Sequence, residues 1–330
     1  MRGRHREQQK GKEMLRAMDS AVAGLRAHQN KLDVIGHNIA NVNTFGFKSQ
    51  VYSFQEAMYQ TTNASTGGTT NAGGTNAAQF GYGALMGTIA TDMTASTPTY
   101  VGGLNASING DGFFITFSTP TVPTDAVADI KKVDYDYTRV GQFKLDSNGF
   151  LVDGNGRFVY GFRGTNPSDT TKNPIDTTKL VALRAPDTAT SYSSGTGGAS
   201  DPVLELANIQ VNKLGEITAT IKDPTPGSTI DGTVVSLGKL AIATFQNPEG
   251  LTKKGQYYYG ATEGDNTGKS SATIPGGTTS DLMTGYLEAS NVDLATQFSD
   301  MITTQRGFQA NSKLITVSDE ILNELVNMKR

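Results

Sequence analysis

Residue types that make or break bonds are present in this 330-residue chain, but their spacing suits that work poorly. The stretch GDNTGKS, residues 264–270, has the residue types of a phosphate-binding loop. Such a loop needs four residues between its two glycines, so that backbone N–H groups wrap the phosphate, and a helix must follow. Here three residues separate Gly264 from Gly268, Glu263 stands where the first glycine belongs, and SATIPGG after the loop cannot open a helix. An ordinary turn accounts for the segment. Asp146, Asn148, Asp153 and Asn155 have the composition of a calcium loop without its spacing or its distal glutamate. Hairpin turns use the same residues. The histidines are His5, His28 and His37, with no pair four apart, so neither a metal site nor a His-based triad has a foundation. The chain has no cysteine, hence no thiolate ligand, disulfide or cysteine nucleophile. The expectation is a protein that is not an enzyme, with no catalytic residue, cofactor or metal.

The elements that would position a site carry the stronger signal. In the N-terminal segment, Leu15, Met18, Val22, Leu25, Gln29, Leu32, Gly36 and Ile39 alternate by three and four. In the C-terminal segment, Leu294, Phe298, Met301, Gln305, Phe308, Ser312, Ile315, Asp319, Leu322 and Val326 do the same. That period lines one face of a helix. Neither stripe has an obvious partner in the middle of the chain, so the ends are expected to pair with each other and with copies of themselves. Gln29, Gln305 and Asp319 interrupt the stripes, either facing water or fixing register. Ser290 and Asp293 form an S-x-x-D pattern that reads as a capping box for the last helix.

Composition narrows the class further. The 36% hydrophobic fraction is low for one compact globule, and Gly is high at 38 residues. A net charge of −3 with no sizeable basic run in the body argues against nucleic-acid binding. No run of about 18 apolar residues reads as a membrane span. Residues 1–13, MRGRHREQQKGKE, hold five basic and two acidic residues and no apolar core. They read as a spurious extension before a natural start at Met14, or as a disordered basic tail.

The fold class expected is α+β: terminal α-helices paired as a coiled-coil-like domain, with a mainly-β domain inserted between them. Residues 14–43 and 286–330 would form the helical polymerisation domain. Residues 44–79 read as a partly extended linker, with 61–79 flexible because Thr, Asn, Gly, Ala and Ser bury too little to offset ordering entropy. Residues 80–162 and 206–285 read as the β-rich domain. Its signals are Phe113–Ile115, the alternating run YTRVGQFKLDSNGFLVDGNGRFVYGF with Asn148-Gly149 and Asn155-Gly156 turns, and strands near 180–183, 208–211, 216–221 and 239–245. Residues 163–205 read as a loop-rich insertion or small outer subdomain, and 261–280 as loop.

Both ends resemble one family. AVAGLRAHQNKLDVIGHNIANVNTFGFKS (21–49) and YLEASNVDLATQFSDMITTQRGFQANSKLITVSDEILNELVNM (286–328) are similar to the terminal signatures of the bacterial flagellar rod and hook proteins. INGDGFFI (108–115), YTRVGQFKLDSNGFLV (137–152) and LAIATFQNPEGLTKKGQYYY (240–259) resemble that family's β-rich domain. His37 and Gly307 depart from the family pattern. Within the family, SNVDL and DEILNELVNM favour the hook over the rod. The resemblance implies an extracellular structural subunit of the flagellar hook, a curved flexible tube that acts as a universal joint between rod and filament, with the distal rod as the alternative. It implies self-assembly as a helical homopolymer, contact with the distal rod protein, the hook–filament junction proteins and the hook cap, and export by the flagellar type III apparatus. No nucleic acid and no membrane insertion are expected. The residues expected at the polymer interface are Leu15, Met18, Val22, Leu25, Leu32, Ile39, Leu294, Phe298, Met301, Phe308, Ile315, Leu322 and Val326.

Overall fold

The computed structural model describes residues 2–69, 73–121, 130–164, 175–186, 205–222, 231–276 and 280–327, with only the backbone for 2–15, 176, 178 and 325. Two long helices bracket the chain, α1 (Arg2–Ala40) and α2 (Leu294–Asn327). The strands between them are β1 (Gln50–Glu56), β2 (Tyr59–Asn63), β3 (Ala78–Gly81), β4 (Ala84–Thr91), β5 (Pro98–Tyr100), β6 (Ala106–Asn109) and β7 (Phe113–Phe117). Next come β8 (Asp136–Thr138), β9 (Phe143–Leu145), β10 (Leu151–Asp153), β11 (Phe158–Gly164), β12 (Ile175–Ala182), β13 (Leu206–Val211) and β14 (Glu216–Ile221). The last are β15 (Val234–Leu240), β16 (Ile242–Phe245), β17 (Thr252–Gly255), β18 (Tyr258–Gly260), β19 (Ser270–Thr273), β20 (Asp281–Thr284) and β21 (Tyr286–Glu288). The fold is α+β, with a large mainly-β sheet between two helices.

Local chemistry sets the helix ends. The backbone is helical from Arg2, and residues 2–13 continue α1. The Arg, Glu, Gln and Lys residues there are good helix formers. The helix stops at Ala40, where the Asn41 side chain donates to the His37 carbonyl at 2.9 Å. At the other helix the cap is Asp293, three residues after the expected Ser290. Asp293 Oδ1 accepts the Ala295 N–H at 2.9 Å and Oδ2 accepts the Thr296 hydroxyl at 2.7 Å, while the Asp293 carbonyl takes the first helical N–H, from Gln297. The Thr296 and Ala295 bonds pull the Asp293 carboxyl below its usual range.

The chain divides into two compact units. The helical unit holds residues 1–42, 49–92 and 292–330, and the β unit holds 43–48 and 93–291. The strands of 50–91, read from the sequence as a linker and the start of the β domain, therefore go with the helices. β1 pairs antiparallel with β4, and β2 with β3. The segment 61–79, expected to be flexible, thus carries parts of a hairpin, held by cross-strand bonds rather than by buried apolar area.

In the β unit a 13-stranded sheet runs β13-β14-β15-β11-β7-β8-β18-β17, with further strands attached along it. Successive side chains of a strand point to opposite faces. Phe113 and Ile115 of β7 and Tyr160 and Phe162 of β11 enter one core cluster. Phe114 and Val159 enter a second, with Leu237, Leu240 and Ile242. The sheet is therefore buried on both faces, which is why these strands read as continuous apolar runs. The Asn-Gly turns stand where expected: Gly149 and Gly156 have φ of 77° and 82°. Residues 239–245 split into the ends of β15 and β16, and β19 lies in the stretch expected to be loop. Of the expected insertion 163–205, residues 165–174 and 187–204 lie outside the described residues.

The two loops with site-like composition are occupied by their own backbone. Asp265 accepts N–H groups from Thr262 and Thr267, the Thr267 hydroxyl, and the Lys131 ammonium at 3.1 Å. Asp153 Oδ1 accepts the N–H groups of Asn155 and Arg157, both at 2.9 Å, and its other oxygen takes the Tyr258 hydroxyl. These carboxylates are spent on turns.

Candidate assembly surfaces

Within the helical unit α1 lies along α2 and against β1 and β4. The face of α1 that this unit buries carries Ala21, Ala27, Val34, Ile35 and Asn38. That face mixes small Ala21 and Ala27 with apolar Val34 and Ile35 and polar Asn38, and it is displaced from the stripe read in the sequence. Among the described side chains of α2 the buried one is Thr304, whose hydroxyl donates to the Asp300 carbonyl at 2.6 Å. Two glycines let the helices approach. A Cβ on Gly307 would lie 2.7 Å from His28 Cε1, and one on Gly24 would lie 2.9 Å from Asn311 Nδ2. Gly307 costs the helix about 1 kcal/mol against Ala, and the tight contact accounts for it.

His28 sits at this contact with its ring edge-on to Phe54, centroids 5.3 Å apart. Its Nδ1 is buried without a hydrogen-bond partner. Desolvation, with the nearby Lys31 charge second, pulls its pKa down. His37, by contrast, is exposed in the last turn of α1, where a basic side chain complements the helix dipole.

Asn38 is the polar centre of the unit, 1% exposed. Its Nδ2 donates to the Gln50 carbonyl at 2.8 Å and its Oδ1 accepts the Gln50 N–H at 2.9 Å, as a neighbouring strand would. The same Nδ2 lies 3.2 Å from Gln297 Oε1. One amide therefore ties α1, β1 and α2 together.

The residues expected at an interface lie on the remaining surface. Met18, Leu25, Leu32 and Ile39 are half-buried and Val22 is exposed. On α2, Met301, Phe308, Ile315 and Leu322 are half-buried, whereas Leu294, Phe298 and Val326 are exposed. The Leu15 side chain lies outside the described residues. The single stripe read along the C-terminal segment is thus two. Its seven-residue series 301, 308, 315 and 322 is partly covered within the chain. Leu294, which starts that series, is exposed, and Phe298, Ile302, Leu314, Val317 and Ile321 spread over the broad opposite side of the helix, with Ile302 52% and Leu314 56% exposed. Those last four residues were missed because a search for one heptad stripe assigns each turn a single apolar position. Gln29, Gln305 and Asp319 face water. Exposed apolar residues also line the strand pairs, among them Val51, Met58, Phe80 and Leu85.

Comparison with known proteins decides the family. The chain is 40% identical over 321 residues to the flagellar basal-body rod protein FlgG of Bacillus subtilis, covering 96% of this chain and 100% of that protein. It belongs to the flagellar rod and hook protein family. Family profiles described as "Flagella basal body rod protein" and "Flagellar basal body rod FlgEFG protein C-terminal" match residues 18–48 and 283–328, at α1 and its exit and at β21 with α2. The chain is also 30% identical over 327 residues to FlgG of Borreliella burgdorferi, covering 96% and 100%. It is 27% identical to the flagellar hook protein FlgE of Salmonella typhimurium in an alignment of 433 residues, covering 95% and 100%. The family is structural and places the chain in the flagellum. No helix among the described residues is long and apolar enough to cross a membrane.

Proposed function

We propose that the chain is a structural subunit of the distal flagellar rod, a tubular shaft built from many copies. The observation that carries this reading is length-matched similarity: the rod relatives align end to end at close to this chain's own length. The hook alignments run to 433 and 455 positions, so those proteins carry long stretches with no counterpart in a 330-residue chain. A second reading, hook subunit, is favoured by the SNVDL and DEILNELVNM segments and by the alignment of hook proteins over nearly the whole chain.

The assembly chemistry is the same for both. Leu15, Met18, Val22, Leu25, Leu32 and Ile39 with Met301, Phe308, Ile315 and Leu322 meet helices of neighbouring copies as a coiled-coil-like inner wall. Leu294, Phe298 and Val326, with Ile302, Leu314, Val317 and Ile321, provide the opposite contact. A subunit with two different apolar faces joins head to tail, and such contacts build an open filament when they do not close into a ring. The β unit forms the outer wall. Its immediate partners are copies of itself and the adjoining axial proteins, reached through the flagellar type III export apparatus; as a hook subunit it would also meet the hook cap and junction proteins.

Deleting the gene and imaging the purified basal bodies separates the readings. Loss of a distal rod subunit leaves particles with a truncated rod and no hook. A complete rod ending bare would overturn the rod reading and support the hook. Unaltered particles would overturn both.

A further inference from the structure

The chain passes between its two units after residues 42, 48, 92 and 291. The β unit holds a buried ionic cluster whose members sit at these four crossings. Glu288, three residues before the last, presents Oε1 to Lys48 Nζ at 2.7 Å and to the Ser96 N–H at 3.0 Å. Its Oε2 lies 3.0 Å from Arg139 Nε, at ion-pair distance without hydrogen-bond alignment. Its main-chain carbonyl accepts the Gly46 N–H at 2.8 Å. Lys48 also donates to the Thr94 carbonyl at 2.7 Å, and the Lys48 carbonyl accepts Lys253 Nζ at 2.9 Å. Arg139 anchors the cluster to the sheet side by donating to the carbonyls of Gly110 and Gly112 at 2.8 and 2.7 Å. Those glycines hold φ of 123° and 133°, which aims both carbonyls at one guanidinium.

The three charged side chains are 1–2% exposed. Charges taken out of water are costly unless paired and fully hydrogen-bonded. Here two cations share one carboxylate, and three carbonyls take up the excess positive charge. No single crossing supplies enough partners to hold any of these charges. The segments 46–48, 94–96 and 288 are therefore held together or not at all.

We propose that Glu288 is the centre of a load-sharing clasp that fixes every crossing of the chain at one buried point of the β unit, so that displacement of one crossing releases the others. In a structural subunit, and resting on that reading, force carried along any one segment would then be spread over all of them.

Residue-resolved amide hydrogen exchange on the full-length chain tests the coupling, because each variant has a reporter not bonded to the altered group. Lys48→Met leaves a balanced Glu288–Arg139 pair, and its reporter is the Ser96 N–H. Glu288→Gln leaves the main chain intact, and its reporter is the Gly46 N–H. The clasp predicts at least a tenfold faster exchange of each reporter, with the amides of Phe114 and Ile115 in β7 unchanged. Unchanged reporters in both variants would show independent ties and overturn the proposal. An equal rise in the β7 amides would show general destabilisation in place of local coupling and would overturn it too. Neither outcome bears on where in the flagellum the subunit stands.

Discussion

Single residues in this chain divide into those that close the fold and those left for other copies. Asn38 closes it: replacing it by Leu leaves the N–H and carbonyl of Gln50 without their buried partner, a loss of about 1–3 kcal/mol that thermal unfolding of the helical unit will register. Gly307 closes it in another way. By propensity a larger residue would strengthen α2, yet Gly307→Leu drives atoms into His28 and is predicted to cost about 1–3 kcal/mol, read as faster amide exchange along α1. The opposite result, a stabilised pair, would mean that the close approach is unimportant. Asp265 gives a pH signature. Burial alone would raise its carboxyl, but the Thr267, Thr262 and Lys131 bonds outweigh burial and bring it down to about 2, from 3.8. A folded pKa below the unfolded value means stability that is present above 3.8 and lost as pH falls toward 2. Asp265→Ala should accordingly weaken the β unit at pH 7, and the penalty should shrink as pH falls from 3.8 through 2. GDNTGKS was legible as a turn from its wrong glycine spacing; that its aspartate clasps Lys131, 134 residues away in sequence, was not, since no local pattern encodes that contact.

At the scale of elements, α2 is the informative one because its two apolar edges have different fates. Phe308 is half-buried within the chain, and Phe298 and Ile302 are exposed. A charge at Phe308 should loosen α1 from α2 in the free chain and reduce its helical circular dichroism. A charge at Ile302 should leave the free chain's spectrum unchanged and still prevent incorporation into basal bodies. If Ile302→Asp assembled normally, the outer edge would not be an interface. Both helices and the Asn-Gly hairpins were plain in the sequence, because periodicity and positive φ are local signals. The face α1 buries was not. It carries Ala21, Ala27 and Asn38 with Val34 and Ile35, none of them on the three-and-four stripe read from the sequence. The pairing of β2 with β3 was equally hidden, since Thr, Asn and Gly carry no alternation.

Across the whole molecule, the two units answer different demands. The β unit buries both faces of its sheet and needs no second copy. The helical unit buries Ala21, Ala27, Val34, Ile35, Asn38 and Thr304 and leaves other large apolar side chains, among them Phe298, Ile302 and Leu314, exposed; the proposed assembly would cover those. The chain's lack of cysteine allows a clean test of that claim. Single cysteines at Ile302 and Val317 on the outer edge of α2, at buried Thr304, and at exposed Lys144 of β9 would be probed with a maleimide, in free chain and in purified basal bodies. The account predicts that Ile302→Cys and Val317→Cys react in the free chain and are protected on assembly. Thr304→Cys should stay unreactive in both states, and Lys144→Cys should react in the free chain. Equal labelling of Ile302→Cys and Val317→Cys before and after assembly would contradict the account, because the exposed edge of α2 would then face solvent in the finished flagellum.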